Sequence, residues 1–558
     1  MRHTNLILML CLVQGCAPDG AAQPMSATTE NALPSCEAAQ LLGHVPTREE
    51  AEAHRQFALP TVDYPAGTHK DVWGLSVTLR VDATGVPVCH VLSEWFEDEA
   101  PLDGPRRALL GDLAGWRYAP LVRDGRAVPM VVTESLREQE LPGARVPMPS
   151  VPLSEVRIVL TRSGCFGTCP AYSVEIRGDG SVLYDGRAFV DVEGEHGYQV
   201  PVEDVAALVE SARTKELWSM RTSYRAAITD NPTYELVFDM GGKVHRIEDY
   251  VGGMAGMPLA VSEFEDEVDR VARSATWLTL SGEAVDQLQR EGFAFDSQEG
   301  ADLLARAVAN RHGSGDQAMA RLVALGAPIE GAKLDDWMRG DTEPLIESAL
   351  RRRRVALIDP LVAAGVLETG GRRDQDKINA AFRAAIQGGS LTAVQAIWEA
   401  AGARRPALTF MDEGESPDDK PIRKRAPVTL LLSGAYQLRQ EWQGLAVARW
   451  LVAQGCDIKA SGADGDTLLH IAADANDAAF VRYLLDQGLD ASAVGEYGLP
   501  PLASVRDEDV ALLLLEAGTD LRMMGDGGGR FLSYARDNHW GRVVAWLERS
   551  EAKGRRQK

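Results

Sequence analysis

Cys165 and Cys169, separated by three residues, are the sharpest chemical feature of this 558-residue chain. In an oxidising compartment such a pair reads first as a disulfide. Closing so short a loop stabilises by about 2 kcal/mol through chain entropy. Other chemistries compete for the same residues. A dithiol redox centre is normally spaced C-x-x-C, not C-x-x-x-C. A metal site needs more ligands, and no His or second Cys pair stands at ligand spacing. Two free thiols are the remaining option. Elsewhere, Cys36 and Cys89 could pair and tie the N-terminal segment to the first folded unit. Cys456 follows a glycine and reads as a small core residue.

Further candidates are weaker. Asp230, Asp249 and Tyr250 could line a small polar site, but their spacing fixes no geometry. Arg351, Arg352, Arg353 and Arg354 form a run that reads as a solvated helix face, or as a contact for an acidic partner. The sequence contains no H-E-x-x-H, no G-x-S-x-G and no G-x-x-x-x-G-K-[ST]. Gly525 to Gly529 is glycine-rich but lacks the preceding strand that phosphate cradling needs. No metal and no cofactor are expected, and the chain is not expected to be an enzyme. A net charge of −23 argues against nucleic acid as the main partner.

The elements that must position these residues begin with an address. Arg2 and His3 precede an apolar run, Leu6 to Val13, of signal-peptide length. It ends in Leu12-Val13-Gln14-Gly15-Cys16, which resembles a bacterial lipobox. That resemblance implies cleavage after residue 15 and lipidation of Cys16. Ala17 after the cysteine implies the outer membrane, facing the periplasm of a double-membrane bacterium. Residues 16–59 are read as the lipidated cysteine and a flexible tether. The stretch from Ala17 to Ser35 is small and polar, too poor in apolar residues to offset its ordering entropy.

Residues 60–145 read as a small α+β unit. Leu75, Val77, Leu79 and Val81 alternate as a half-buried strand should, and Asp82 to Gly85 is a turn. With Trp116, Arg117, Tyr118, Pro120, Asp124 and Gly125, the segment resembles the C-terminal domain of TonB-type energy transducers. The family's transmembrane helix and Pro-rich spacer are missing, so the resemblance implies a fold and an adaptor surface, not energy transduction. Residues 150–277 form a second α+β unit, with hairpins expected at Gly178-Asp179-Gly180 and Gly241-Gly242. Cys165, Phe166, Gly167, Cys169, Pro170, Tyr172, Gly180, Tyr184, Gly186, Asp249 and Tyr250 match the C-F-G-x-C-P-x-Y hallmark of an uncharacterised bacterial domain family. That resemblance implies no assigned function.

From residue 278 to 550 the chain is helical and repetitive. Leu469 and Leu502 stand 33 residues apart, a period typical of stacked repeat arrays. Repeat glycines fall at 292, 326, 365, 402, 455, 488 and 518, with a charged insertion near Met411 to Pro427. Thr467-Leu468-Leu469-His470-Ile471-Ala472-Ala473 resembles the T-P-L-H-x-A-A motif of ankyrin repeats. Thr467 suits a helix N-cap, Leu469 the interior, Ala472 and Ala473 close helix approach, and Gly488 a left-handed helix end. His470 takes the family's hydrogen-bonding histidine position. Leu502 and Gly518 carry the next, weaker repeat, another weak one is centred on Leu431, and Phe531 to Leu547 reads as a cap.

The fold class expected is thus two small α+β domains followed by an all-α ankyrin-type solenoid. The function expected is a membrane-anchored, extracytoplasmic binding scaffold, monomeric, with a protein partner and with the membrane touched only through the lipid. An immunity or inhibitor role is one version of this. The alternatives are a thiol, redox or small-ligand function in the C-F-G-x-C unit, and an envelope adaptor built on the TonB-like unit.

Overall fold

The structure is a computed structural model describing residues 33–37, 41, 43–68, 70, 73–94, 101–123, 125–310, 315–330, 334–335, 342–408, 410–412, 423–425, 443–459, 461, 465–495, 498–524 and 529–556. Cys16, Asp124 and the repeat centred on Leu431 lie outside the described residues. No helix among the described residues is long and apolar enough to cross a membrane.

The N-terminal unit contains α1 (Arg48–His54), β1 (Val62–Tyr64), β2 (Leu75–Val81), β3 (Pro87–Glu94), α2 (Gly104–Leu113), β4 (Leu121–Arg123), β5 (Arg126–Val128), β6 (Met130–Leu136) and β7 (Glu138–Glu140). β3, β2 and β6 form an antiparallel sheet in that order. Alternation on β2 buries Leu75, Val77, Leu79 and Val81, which pack with Leu109 and Leu113 of α2. The β2–β3 turn is tied by Asp82, whose Oδ1 accepts from Thr84 N at 2.8 Å and Val86 N at 3.1 Å. Gly85 has φ +90°, and a Cβ there would lie 1.9 Å from the Tyr118 carbonyl oxygen. Only glycine fits this turn.

Residues 33–59 correct the expectation of a flexible tether extending to residue 59. Cys36 is disulfide-bonded to Cys89. Thr47 and Glu50 form a capping box that starts α1. Arg55 pairs with Glu134 at 2.7 Å, and Phe57 stacks on Trp116 with centroids 4.2 Å apart. Gly43 donates to the His539 carbonyl at 2.9 Å, so this segment also lies against the last repeat. Paired charges, a cap and one aromatic hold a stretch whose apolar content is low.

The middle unit is a seven-stranded sheet with two long helices. Its strands are β8 (Val156–Arg162), β9 (Ala171–Arg177), β10 (Ser181–Ala188), β11 (Gly194–Gln199), β12 (Ser223–Arg225), β13 (Tyr234–Met240) and β14 (Lys243–Tyr250). They run in the order β11-β10-β9-β8-β13-β14-β12, with only β12 parallel to its neighbour. The β13–β14 turn has Gly241 at φ +63° and Gly242 at φ +85°, the two positive values a type I′ turn demands. The helices are α3 (Val202–Thr214) and α4 (Leu259–Ala272). α4 buries its 3.6-period stripe, with Phe264 set 5.4 Å from the Phe238 ring.

Helix pairs follow. The clearest are Gln298–Ala309 with Asp316–Ala324, Gln375–Gly388 with Leu391–Ala400, and Leu468–Asp474 with Ala478–Asp486. All seven repeat glycines, from Gly292 to Gly518, have φ between +58° and +98°, which lets each second helix of a pair end in a left-handed residue. Near Leu502 the first helix shrinks to a single 3-10 turn, Pro501–Ser504, because Val505 is already extended. One continuous apolar core runs from the middle unit through the last repeat.

Candidate functional site

Strand β8 ends at Arg162, and the chain leaves the sheet through Ser163 and Gly164 into the Cys165–Cys169 loop. These cysteines are disulfide-bonded. Phe166 N–H donates to the Asp230 carbonyl at 3.2 Å, and Asn231 N–H donates to the Tyr250 hydroxyl at 3.4 Å. Asp230 sits at φ +70°. The loop, Asp230 and Tyr250 therefore share one end of the sheet, where the Phe166 ring is 80% exposed. Asp249 does not join them. It is buried and accepts from Gly252 N–H, because neighbours on a strand face opposite sides.

Beneath the sheet, Asp249 belongs to a polar centre that sequence reading overlooked. Asp269 on α4 accepts from Arg162 Nη2 at 2.7 Å, the Tyr172 hydroxyl at 2.8 Å and the Ser274 hydroxyl at 2.6 Å. Glu265, one turn earlier, is 2% exposed. Burial, reinforced by the Asp249 charge, pushes its carboxyl up to about 8, so it is mostly protonated at neutral pH. Arg137 reaches in from the N-terminal unit and donates to the Met257 carbonyl at 2.9 Å. A signal for Glu265 was present: it falls in the same helical stripe as Val261, Phe264 and Val268. Among the described residues, no group of three or more His, Cys, Asp or Glu is placed to hold a metal ion.

In the repeats, Leu469, Ala472 and Leu502 are fully buried. Thr467 N–H donates to His470 Nδ1 at 3.1 Å. That fixes the neutral tautomer with hydrogen on Nε2, which lies 3.3 Å from the Leu499 carbonyl of the next repeat's loop. A Cβ on Gly495 would fall 2.6 Å from His470 Nε2 and 1.9 Å from Asp466 Oδ1. The described residues of the two loops, around Gly465 and around Gly495, are thereby held against each other. Val494, 52% exposed, stands in the second of these loops.

Burial lowers the His470 pKa below 6.5, with Asp466 partly opposing. A group with a lowered folded pKa contributes fully above its unfolded pKa and loses that contribution as pH falls towards the folded value. Between about pH 7 and 5, His470→Gln should lose less melting temperature than the wild type. Parallel losses in a thermal-unfolding series would show that His470 is not the titrating group.

The arginine run needs correction. The helix Leu345–Arg351 ends at its first member, and Arg353 takes φ +59°, so the four side chains do not share a face. Arg354 is 7% exposed; its guanidinium donates to the Asn310 carbonyl and lies 3.6 Å from Asp316. It satisfies a carbonyl left over at the end of the helix Gln298–Ala309 and is not a surface contact. Arg351 bonds Gln387 at 2.7 Å, and Arg352 bonds Ser348.

Comparison with known proteins agrees on two regions. Residues 156–272 match a family model described as a domain of unknown function, DUF6438. Residues 440–524 match ankyrin repeats, in three copies. A curated relative, the E3 ubiquitin-protein ligase KEG of Arabidopsis thaliana, is 31% identical over 180 residues, covering 31% of this chain and 10% of the relative. This chain thus spans about a tenth of that relative's length. Among solved structures, the ankyrin repeat domain of Bcl-3 is similar with 21% identity and a TM-score of 0.24, over 42% of this chain and 91% of that one. The human ASB11 ankyrin repeat domain is similar with 16% identity and a TM-score of 0.26, over the same shares.

Proposed function

We propose that this protein is a membrane-anchored, extracytoplasmic scaffold that binds a protein partner through the loop tips of its ankyrin repeats. The observation that carries the reading is the pair of loops held together around His470, Gly495 and Leu499, which presents Val494 to solvent from a rigid base. An exposed apolar side chain on a preorganised loop binds with little further ordering cost. Two disulfides fit an oxidising compartment, and the lipobox-like Leu12 to Cys16 supplies the anchor. In this reading the chain is not an enzyme. The TonB-like and DUF6438 units position the array, and an immunity or inhibitor role is the form it takes when the partner is a toxin.

The test places a photo-crosslinking residue at Val494, or at exposed Arg482 on the helix Ala478–Asp486 as a control, in the full chain in a double-membrane bacterium. The expected result is a discrete protein adduct at 494 alone, recovered with membranes and shifted to the soluble fraction by Cys16→Ser. No adduct at 494, or equal adducts at both positions, overturns the binding surface. A Cys16→Ser chain that stays with membranes overturns the anchor.

A further inference from the structure

Where the middle unit meets the first repeat, a cavity of about 320 Å³ opens between β11, the end of α4 and the helix Gly282–Glu291. Clefts of this size at unit junctions are common ligand sites. Its floor is aromatic. Trp277, 2% exposed, stacks on His196 with centroids 4.5 Å apart, and Tyr198 lies beside it at 5.7 Å. Its rim is cationic. Arg273 and Arg290 line it together with one acid, Glu283, leaving a net charge of one positive in a chain of net charge −23.

The two arginines are held for a ligand in different ways. Arg273 is the C-cap of α4 at φ +52°, a position where glycine is the usual residue. A non-glycine residue kept in that conformation is a sign of function. Its guanidinium reaches Glu283 at only 3.5 Å, too long for a strong pair. Arg290 is oriented by the Gln287 side-chain oxygen at 3.0 and 2.6 Å, a neutral partner that fixes the fork without neutralising it. A planar cation poised this way matches a carboxylate, which it can bind through two parallel hydrogen bonds.

We infer that this junction cavity is a carboxylate-binding site, in which Arg290 and Arg273 hold the anion and Trp277 and Tyr198 pack against its carbon frame. The inference stands independently of the scaffold reading, since no repeat-loop residue takes part. The carboxylate comes either from the C-terminus of a peptide or from a free small diacid.

Calorimetric titration of the full chain with an acetylated tripeptide bearing a free C-terminus, its C-terminal amide, and glutarate separates these sources. The expected result is binding by at least one carboxylate probe and none by the amide. Peptide binding alone assigns a chain terminus, and glutarate binding assigns a small acid. Arg290→Gln should weaken the bound probe at least about tenfold, the loss expected from one charge-assisted pair. Arg273→Gly should weaken it as well while holding or raising the melting temperature, because it relieves the left-handed backbone. A merely structural arginine would not give that opposite pair of changes. Failure of both carboxylates to bind at millimolar concentration, binding of the amide equal to the acid, or unchanged affinity in both variants overturns the site.

Discussion

Glu138→Gln is expected to lower the stability of the N-terminal unit by about 3–5 kcal/mol, the cost of breaking a buried ion pair by removing one partner. Glu138 and Arg106 are both fully buried. The carboxylate accepts from Arg106 Nε at 2.8 Å and Nη2 at 2.9 Å, from Lys70 at 2.8 Å, from the Tyr64 hydroxyl at 2.7 Å and from Gly74 N–H at 3.1 Å. Burial alone would raise its pKa; the donors from Arg106, Lys70 and Tyr64 more than offset this and hold it at about 2. A depressed folded pKa contributes stability in full above the unfolded value of 4.5, and that contribution is lost as pH falls from there towards about 2. Denaturant titrations of wild type and variant should therefore converge at acid pH. A loss under about 1 kcal/mol at pH 7 would show that the pair is not the centre of this unit. Arg106 also pairs with Glu94, and Glu138 with Lys70, so replacing Glu138 and Arg106 together by apolar residues strands only these two partly exposed charges and should cost less than leaving the fully buried Arg106 unpaired.

Cys36→Ser with Cys89→Ser is expected to cost about 4 kcal/mol by loop entropy, because the bridge spans 53 residues. The same arithmetic gives Cys165→Ser only about 2 kcal/mol, because that bridge spans four. The larger effect falls on the segment that carries the chain from its N-terminus to the folded body. Apart from the bridge, residues 33–37 are held by Leu33 and a few hydrogen bonds, such as Cys36 N–H to the His90 carbonyl at 2.8 Å. Limited proteolysis of the double variant should cut near residue 36 before any other site, and reductant should bring the wild type to the same pattern. Equal resistance in both would mean that the bridge leaves the segment's stability unchanged.

How much of this was legible in the sequence depends on what each feature required. The turns at Gly178 to Gly180 and at Gly241-Gly242, and the repeat glycines, could be read because Gly180, Gly241, Gly242 and the repeat glycines take a positive φ that few residue types admit. The ankyrin motif could be read because Ala472, Ala473 and Leu469 meet a tight packing demand. Residues 33–59 were misread because their order comes from Thr47, Glu50, Arg55 and a disulfide rather than from apolar periodicity. The capping-box spacing of Thr47 and Glu50 was the available signal. Arg354 was misjudged because four identical residues do not show where their helix stops. Glu265 is acidic and so drew no notice as a core residue, although its place in the stripe with Val261, Phe264 and Val268 marked it as buried.

The parts now fit one arrangement. The N-terminal unit interlocks with the middle unit through Arg137 and Met257. The middle unit grips the first repeat through Asp191, which accepts from Asn310 at 2.7 Å and from Leu280 N–H. The segment before α1 touches the last repeat at His539. Such a body presents the repeat loops on a fixed frame, which is what a binding scaffold needs.

In the proposed function, the loops joined through His470 and Leu499 are where a protein partner binds. The most direct measurement is the affinity of the crosslinked partner for the purified, disulfide-intact full chain, with Val494 or with Val494→Asp. Val494→Asp is expected to weaken binding at least about tenfold, or 1.4 kcal/mol, at an unchanged melting temperature. Equal affinity for both chains would contradict it.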